Sequence, residues 1–366
     1  MIYLTQYKTA CTTEKELFDD IIFPQKVHWF PESYKRAKSG MIYAPHRVAE
    51  KVLDEQTASW IRENPVGKTA FILASGNSHF AGINPRNRPE NRLSYEYRFL
   101  PLSLTQVYAG RLAQSLNASD HIVTDATACA SSLKVMMDVQ TLIKMYGFKR
   151  VIVLSVEDQV SNSVLEFFGE AGATLSWKQE QEGMLPSAFD SMNQGFNVGQ
   201  GACFAVFEDE SVVKDPKCAL LGSYTASEPC SNAIGQLESG EGFKRAIEGA
   251  IFCSQETPSQ IKIVKTHGTG TISNNVAERA AISSMLTDFV ATSYKQRIGH
   301  TMGVSGLLET LLLLDDMGRG IIPGIPNRTE DDSVFLSKDI PTIDGDILSL
   351  AAGMGNVYSA AIFRRV

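Results

Sequence analysis

The chain has 366 residues, 43% of them hydrophobic and 20% charged, with a net charge of −7 at neutral pH. These values exclude a disordered or fibrous chain and allow one large domain or two similar ones. The negative charge, with no basic cluster, argues against nucleic acid as a partner. The six cysteines, at 11, 129, 203, 218, 230 and 253, form no CxxC pair, which suggests reduced thiols in a cytosol rather than a disulfide framework. The start of the chain has no apolar signal region. The densest apolar stretch, Leu307–Leu314, contains Glu309 and is too short to span a bilayer, so a cytoplasmic protein with no membrane span is expected.

In chain order, Ile2–Leu4 reads as a short strand and Val48–Ile61 as an amphipathic helix. Thr69–Ala74 is a buried strand, residues 77–98 a loop rich in Asn, Pro and Arg, and Leu104–Leu116 a helix. The β-branched run Ile122–Thr124 is a strand. Small residues follow it, and then a helical pattern from Leu133 to Tyr146 that Gly147 stops. Arg150–Val156 reads as a parallel-sheet strand, Ser161–Gly169 as a short helix, Trp177–Pro186 as a polar loop and Gly201–Phe207 as a strand. The charged run Glu208–Lys217 reads as a linker between halves. The second half follows with a strand at Cys218–Ala226, a loop over 227–242 and a helix from about Gly242 to Phe252. Next come a strand at Ile261–Lys265, a helix at Val276–Met285, and small residues leading into a helix over Gly299–Met317. Ile347–Ala352 and Val357–Phe363 form a closing hairpin. The halves echo each other, so a duplicated α/β unit is expected, with units 1–210 and 217–366 and a site between them.

Cys129 sits where a strand turns into the first turn of a helix. Unpaired N–H groups and the helix dipole there favour a thiolate and would lower the thiol pKa. The alternative is a small buried hydrophobe, the commonest state of a free cysteine. Two histidines lie at similar junctions: His267 in Lys-Thr-His-Gly-Thr-Gly-Thr271 after a strand, and His300 in Gly299-His-Thr-Met-Gly-Val-Ser-Gly306. Singly, each is also readable as a hydrogen-bonded core or loop histidine, as are His28, His46, His79 and His121. No spacing suits a metal, and the turn at 268–271 lacks the spacing and lysine of a P-loop.

Together these stretches resemble the β-ketoacyl synthase family, the condensing enzymes of fatty-acid and polyketide assembly. Thr127-Ala-Cys129-Ala-Ser-Ser is similar to the nucleophile motif. His267-Gly-Thr-Gly-Thr with Glu278, and Lys295 with Gly299–Gly306, are similar to the two histidine motifs. Phe99-Leu-Pro101, Ala109-Gly110, Glu157, Phe168, Ala173–Ser176, Phe189-Asp190 and Gly195–Gly201 match between them, so the resemblance covers about residues 99–366.

The resemblance implies a thiolase-like duplicated αβαβα five-layer α/β fold. It implies Cys129, His267, His300 and Lys295 as catalytic residues, and the backbone N–H groups of Cys129 and Met354 as an oxyanion hole. Glu278, Gly353, Gly355, Thr269 and Thr271 would support the site, Lys295 and Glu278 as a pair that sets the local field. Met354 and Phe168 would gate the acyl pocket. The implied reaction is a decarboxylative Claisen condensation of an acyl group held on Cys129 with a malonyl-acyl carrier protein, the pair of histidines marking the elongating subtype. No metal or dissociable cofactor is implied, the substrate riding on the phosphopantetheine of an acyl carrier protein. The partners implied are that carrier and a second synthase-like chain, in a homodimer or heterodimer. The alternatives are a chain-length-factor-like subunit and a thiolase-like acyltransferase acting on coenzyme A esters. The chain departs from the family at Asn193, Gln200 and Asn275, where charges are usual, and at Met354, where an aromatic gate is usual.

Overall fold

The computed structural model describes residues 1–11, 52–76, 105–157, 167–176, 179, 182–229, 235–330 and 332–366. The 77–98 loop, the Phe99–Pro101 motif, His28, His46, His79 and Cys230 lie outside the described residues, as do parts of the expected 48–61, 104–116 and 161–169 helices and of the 177–186 and 227–242 loops.

The first half contains β1 (Ile2–Cys11), α1 (Glu55–Glu63), β2 (Thr69–Ala74), α2 (Thr105–Ser115), β3 (His121–Asp125), α3 (Ser131–Lys144), β4 (Arg150–Glu157) and β5 (Gly201–Asp209). The second contains β6 (Cys218–Ser227), α4 (Glu241–Ser254), β7 (Ile261–Lys265), α5 (Ile272–Met285), β8 (Val290–Thr292), the single turn α6 (Lys295–Ile298) and α7 (Ser305–Gly318). The short pair β9 (Ile321–Ile322) and β10 (Ile340–Pro341) then precedes β11 (Asp346–Gly353) and β12 (Val357–Arg365).

Ten strands form one sheet in the order β3-β2-β4-β5-β1-β6-β12-β11-β7-β8. The order reads as the same five-strand pattern twice. In each half two parallel pairings, β3–β2–β4 and β8–β7–β11, are followed by two antiparallel ones, β4–β5–β1 and β11–β12–β6. The halves join where Ile2–Leu4 pairs antiparallel with Cys218–Leu220.

Strand periodicity builds the layers, because alternate side chains leave opposite faces of a sheet. On β4, Val151 and Val153 enter a central core with Leu133 and Met136 of α3 and Leu307 and Leu311 of α7. The intervening Ile152 and Leu154 meet Ile61 of α1 and Ala109 and Ala113 of α2. On β11, Ile347 and Ala351 face the central core, while Leu348 and Leu350 pack with Phe243 of α4 and Ile282 of α5. Helices, sheet, helices, sheet, helices is therefore the order of layers, with α3 and α7 in the middle.

Some elements are longer than the sequence suggests. The first strand runs to Cys11 rather than Leu4, because β5 pairs with its whole length. The α5 helix starts at Ile272, four residues before the expected Val276, and β5 reaches Asp209, inside the expected linker.

Candidate active site

The turn that carries Cys129 is strained and held from both sides. Ala128 has φ 45°, a left-handed conformation unfavourable for a residue with a Cβ. The Asp125 carboxylate accepts from the Thr127 N–H (3.1 Å) and hydroxyl (2.6 Å), and Ser131 Oγ donates to Ala128 O (2.7 Å). One 3-10 turn, Ala128–Ala130, then runs into α3. The second half repeats this device. Met302 has φ 50°, a 3-10 turn covers Met302–Val304, and Ser305 starts α7. The positional equivalent of Cys129 is thus Gly303, three residues past His300. A Cβ on Gly303 would strike the backbone of Gly76. That close approach lets Glu157 Oε2 accept from both the Gly76 N–H (2.7 Å) and the Gly303 N–H (3.1 Å), tying the end of β2 to the turn before α7.

His267 follows β7. The Glu278 carboxylate, projecting from α5, accepts from the His267 N–H (2.5 Å), the Gly268 N–H (2.9 Å) and Asn274 Nδ2 (2.8 Å). Glu278 therefore fixes the backbone of the histidine turn, and the expected Lys295–Glu278 pair does not form. Lys295 Nζ instead pairs with Glu309 Oε1 (2.8 Å), because α7 turns Glu309 inward one helical turn beyond Ser305. Lys265 Nζ occupies the other oxygen of Glu309 at 3.1 Å. His300 is held by its N–H to Asn197 O (2.6 Å), by Gly199 N–H to His300 O (2.9 Å), and by Nδ1 against Ser305 Oγ (2.9 Å). The two imidazoles meet edge to face with ring centres 5.7 Å apart, and Phe196 stands 4.8 Å from His300.

Burial governs the protonation states. It pushes the Cys129 thiol up to about 12, against a lowering by Lys295 and alongside the nearby Glu157 and Glu309 carboxylates. Burial therefore opposes the thiolate that the helix terminus favours. Burial holds both imidazoles well below their usual value, assisted by Lys295 and Lys265. Both rings are neutral at physiological pH.

A cavity of about 480 Å³ is lined by Cys129, His267 and His300 together. Thr269, Thr271, Phe168, Gly353 and Met354 also line it, the two threonine hydroxyls lying 3.0 Å apart. Lys295, Glu278 and Gly355 do not reach its wall, nor do the departures Asn193, Gln200 and Asn275. A Cβ on Gly353 would come within 2.7 Å of Thr127 O, so glycine lets the β11–β12 turn lie directly on the Cys129 turn. Phe168, Phe196, Val198, Met302 and Met354 surround the sulfur with apolar surface. Gln194, Gln236, Asn274 and Asn356 supply polar wall elsewhere. Among the described residues no group of three His, Cys, Asp or Glu side chains could hold a metal ion, and no helix is long and apolar enough to cross a membrane. Lys265, Glu309, Glu157 and Ser305 take part in the site although the sequence analysis gave them no role there. The signal for the first two was a charge inside an otherwise apolar strand or helix.

Comparison with known proteins places the chain in a family. The family model described as "Beta-ketoacyl synthase, N-terminal domain" matches residues 48–212, and "Beta-ketoacyl synthase, C-terminal domain" matches 218–329. The tetracenomycin polyketide synthase ketoacyl synthase alpha subunit of Streptomyces glaucescens is 25% identical over 279 residues, covering 73% of this chain. This chain spans 64% of that relative's length. The 3-oxoacyl-[acyl-carrier-protein] synthase 2 of Rhizobium meliloti is 22% identical over 357 residues, covering 92% of this chain and 83% of its own. Among solved structures, a type II PKS acyl-carrier protein in complex with its ketosynthase bound to the hexaketide superposes with a TM-score of 0.76 at 16% identity, covering 100% of this chain and 99% of the other. A β-ketoacyl synthase from Burkholderia phymatum gives a TM-score of 0.74 at 20% identity, covering 100% and 99%.

Proposed function

The chain belongs to the β-ketoacyl synthase family, with its thiolase-like fold, and from that premise we propose that it catalyses a decarboxylative Claisen condensation. The observation that carries this reading is the convergence of Cys129, His267 and His300 on one cavity, with both imidazoles neutral.

In the first half-reaction the Cys129 sulfur attacks the carbonyl carbon of an acyl thioester. The new C–S bond replaces the bond to the carrier thiol, which leaves with the proton that Cys129 gives up. The Cys129 and Met354 N–H groups are the proposed donors to the oxyanion, a reading supported by the Gly353 turn lying on the Cys129 turn. In the second half-reaction a malonyl thioester enters and loses CO₂. The electrons of the broken C–C bond become an enolate, whose oxygen accepts hydrogen bonds from His267 and His300. A Ser305 hydroxyl donating to His300 Nδ1 leaves that ring's proton on Nε2, as this role requires. The enolate carbon attacks the acyl group, the thioester bond breaks, and the Cys129 sulfur takes a proton from solvent, its own having left with the carrier thiol.

Thr269 and Thr271 on the wall are assigned to the pantetheine arm of an acyl carrier protein, with Phe168 and Met354 as acyl gates. Residues 1–210 and 217–366 are proposed as the two thiolase-like units, and a dimer in the cytoplasm as the working form. For a dimer, β3 offers an edge that has, among the described residues, only β2 beside it in the sheet. A chain-length-factor-like role is the second reading, because solved ketosynthase–chain length factor complexes share this fold. Cys129 at the cavity, with both histidines, speaks for the active role. The test is CO₂ release from a malonyl-carrier thioester by the purified chain alone. Release dependent on His267 and His300 is expected. No release until a second synthase-like chain is added would favour the partner role.

A further inference from the structure

Lys265 ends β7 two residues before His267 and is wholly buried. Its Nζ donates to Leu350 O (2.9 Å) and pairs with Glu309 Oε2 (3.1 Å), while Lys295, equally buried, takes Glu309 Oε1 (2.8 Å). One carboxylate therefore serves two ammonium groups. The other charged group facing Lys265 is Glu278 of α5, whose oxygens are already engaged by two backbone N–H groups and Asn274. His267 and His300 are the titratable rings that feel both lysines. Lys265 adds a second positive charge to the Lys295–Glu309 pair, at the cost of burying a second cation.

We propose that Lys265 is a positioning residue for the reaction read above: it adds a second buried ammonium to the Lys295–Glu309 pair two residues before His267, and that charge helps burial keep His267 and His300 as neutral hydrogen-bond donors. The purpose of this device rests on the condensing-enzyme reading, but its measurement does not. Burial pushes the Lys265 ammonium down to about 8 against the pull of Glu309, so its charge is present below that pH and fades above it.

The test is titration of the two imidazoles by NMR in protein labelled at histidine, with the signals assigned through His267→Ala and His300→Ala. Lys265→Met is expected to move both titrations upward by roughly one pH unit, the effect of removing one nearby charge at an effective dielectric of about 20. Lys265→Arg, which keeps the charge, is expected to leave them in place. A purely structural role would lower the thermal midpoint without moving either titration. If Lys265→Met fails to fold, Lys265→Gln answers the same question, since it keeps a donor for Leu350 O without the charge. Titrations that coincide in the wild type and the uncharged variant overturn the inference, as does an equal shift in Lys265→Arg. A shift confined to the uncharged variants, in a chain that releases no CO₂, supports the inference and counts against the condensing reading.

Discussion

Burial that keeps the Cys129 sulfur protonated also keeps both imidazoles unprotonated, so the resting site holds neutral groups rather than a thiolate–imidazolium pair. The sign of the pH dependence follows. A thiol raised to about 12 gains thiolate throughout the alkaline range. Alkylation of Cys129 by iodoacetamide should therefore climb about tenfold per pH unit from neutrality to beyond pH 9, as expected below a thiol's pKa. A plateau near the ordinary thiol value would show that the sulfur is not desolvated. The Ser305–His300 contact makes a separate prediction. Ser305→Ala should slow decarboxylation about tenfold, the loss typical of an orienting partner, while acylation of Cys129 stays near the wild-type rate. Equal losses in both half-reactions would remove Ser305 from this role.

At the scale of elements, the site is two copies of one strand–turn–helix device, and Glu157 locks the first half's framework to the second copy. Removing its carboxylate leaves the Gly76 and Gly303 N–H groups unpaired. Glu157→Ala should then cost about 2–6 kcal/mol in urea unfolding, from one buried and one partly buried donor at about 1–3 kcal/mol each. Glu157→Gln, which keeps one acceptor, should cost less; equal costs would mean the two N–H groups find other partners. The device was legible in sequence, because a β-branched strand, a run of small residues and an apolar helix stand in order at 122–137. The full β1 strand was not legible. Leu4 to Thr9 mixes apolar and polar residues, and only pairing with β5, some two hundred positions away, makes a strand of it. The three residues of β8 are too few to show a period. The wrong partner for Lys295 has a related cause. Glu278 stands at a familiar distance from His267 in sequence, whereas Glu309 reaches the lysines only because Ser305 and Glu309, four apart on α7, share its inward face.

For the molecule as a whole, layers that close around α3 and α7 leave β3, among the described residues, as one outer edge of the sheet. An open edge is a template for pairing with another chain, so the protein is expected to sediment with the mass of two chains. Lysine at both Ile122 and Thr124 should shift it toward one. A monomer in the wild type, or a dimer unaffected by the two lysines, would take the edge out of the assembly. The site between the halves, rather than any single element, is what ties this architecture to the proposed chemistry, which requires Cys129 to carry substrate. The most direct measurement is mass spectrometry of the protein after incubation with an acyl-carrier thioester. The account predicts one acyl group on the peptide bearing Cys129, lost in Cys129→Ala and discharged when malonyl thioester is added. An unmodified Cys129, or acylation that persists in Cys129→Ala, would contradict it.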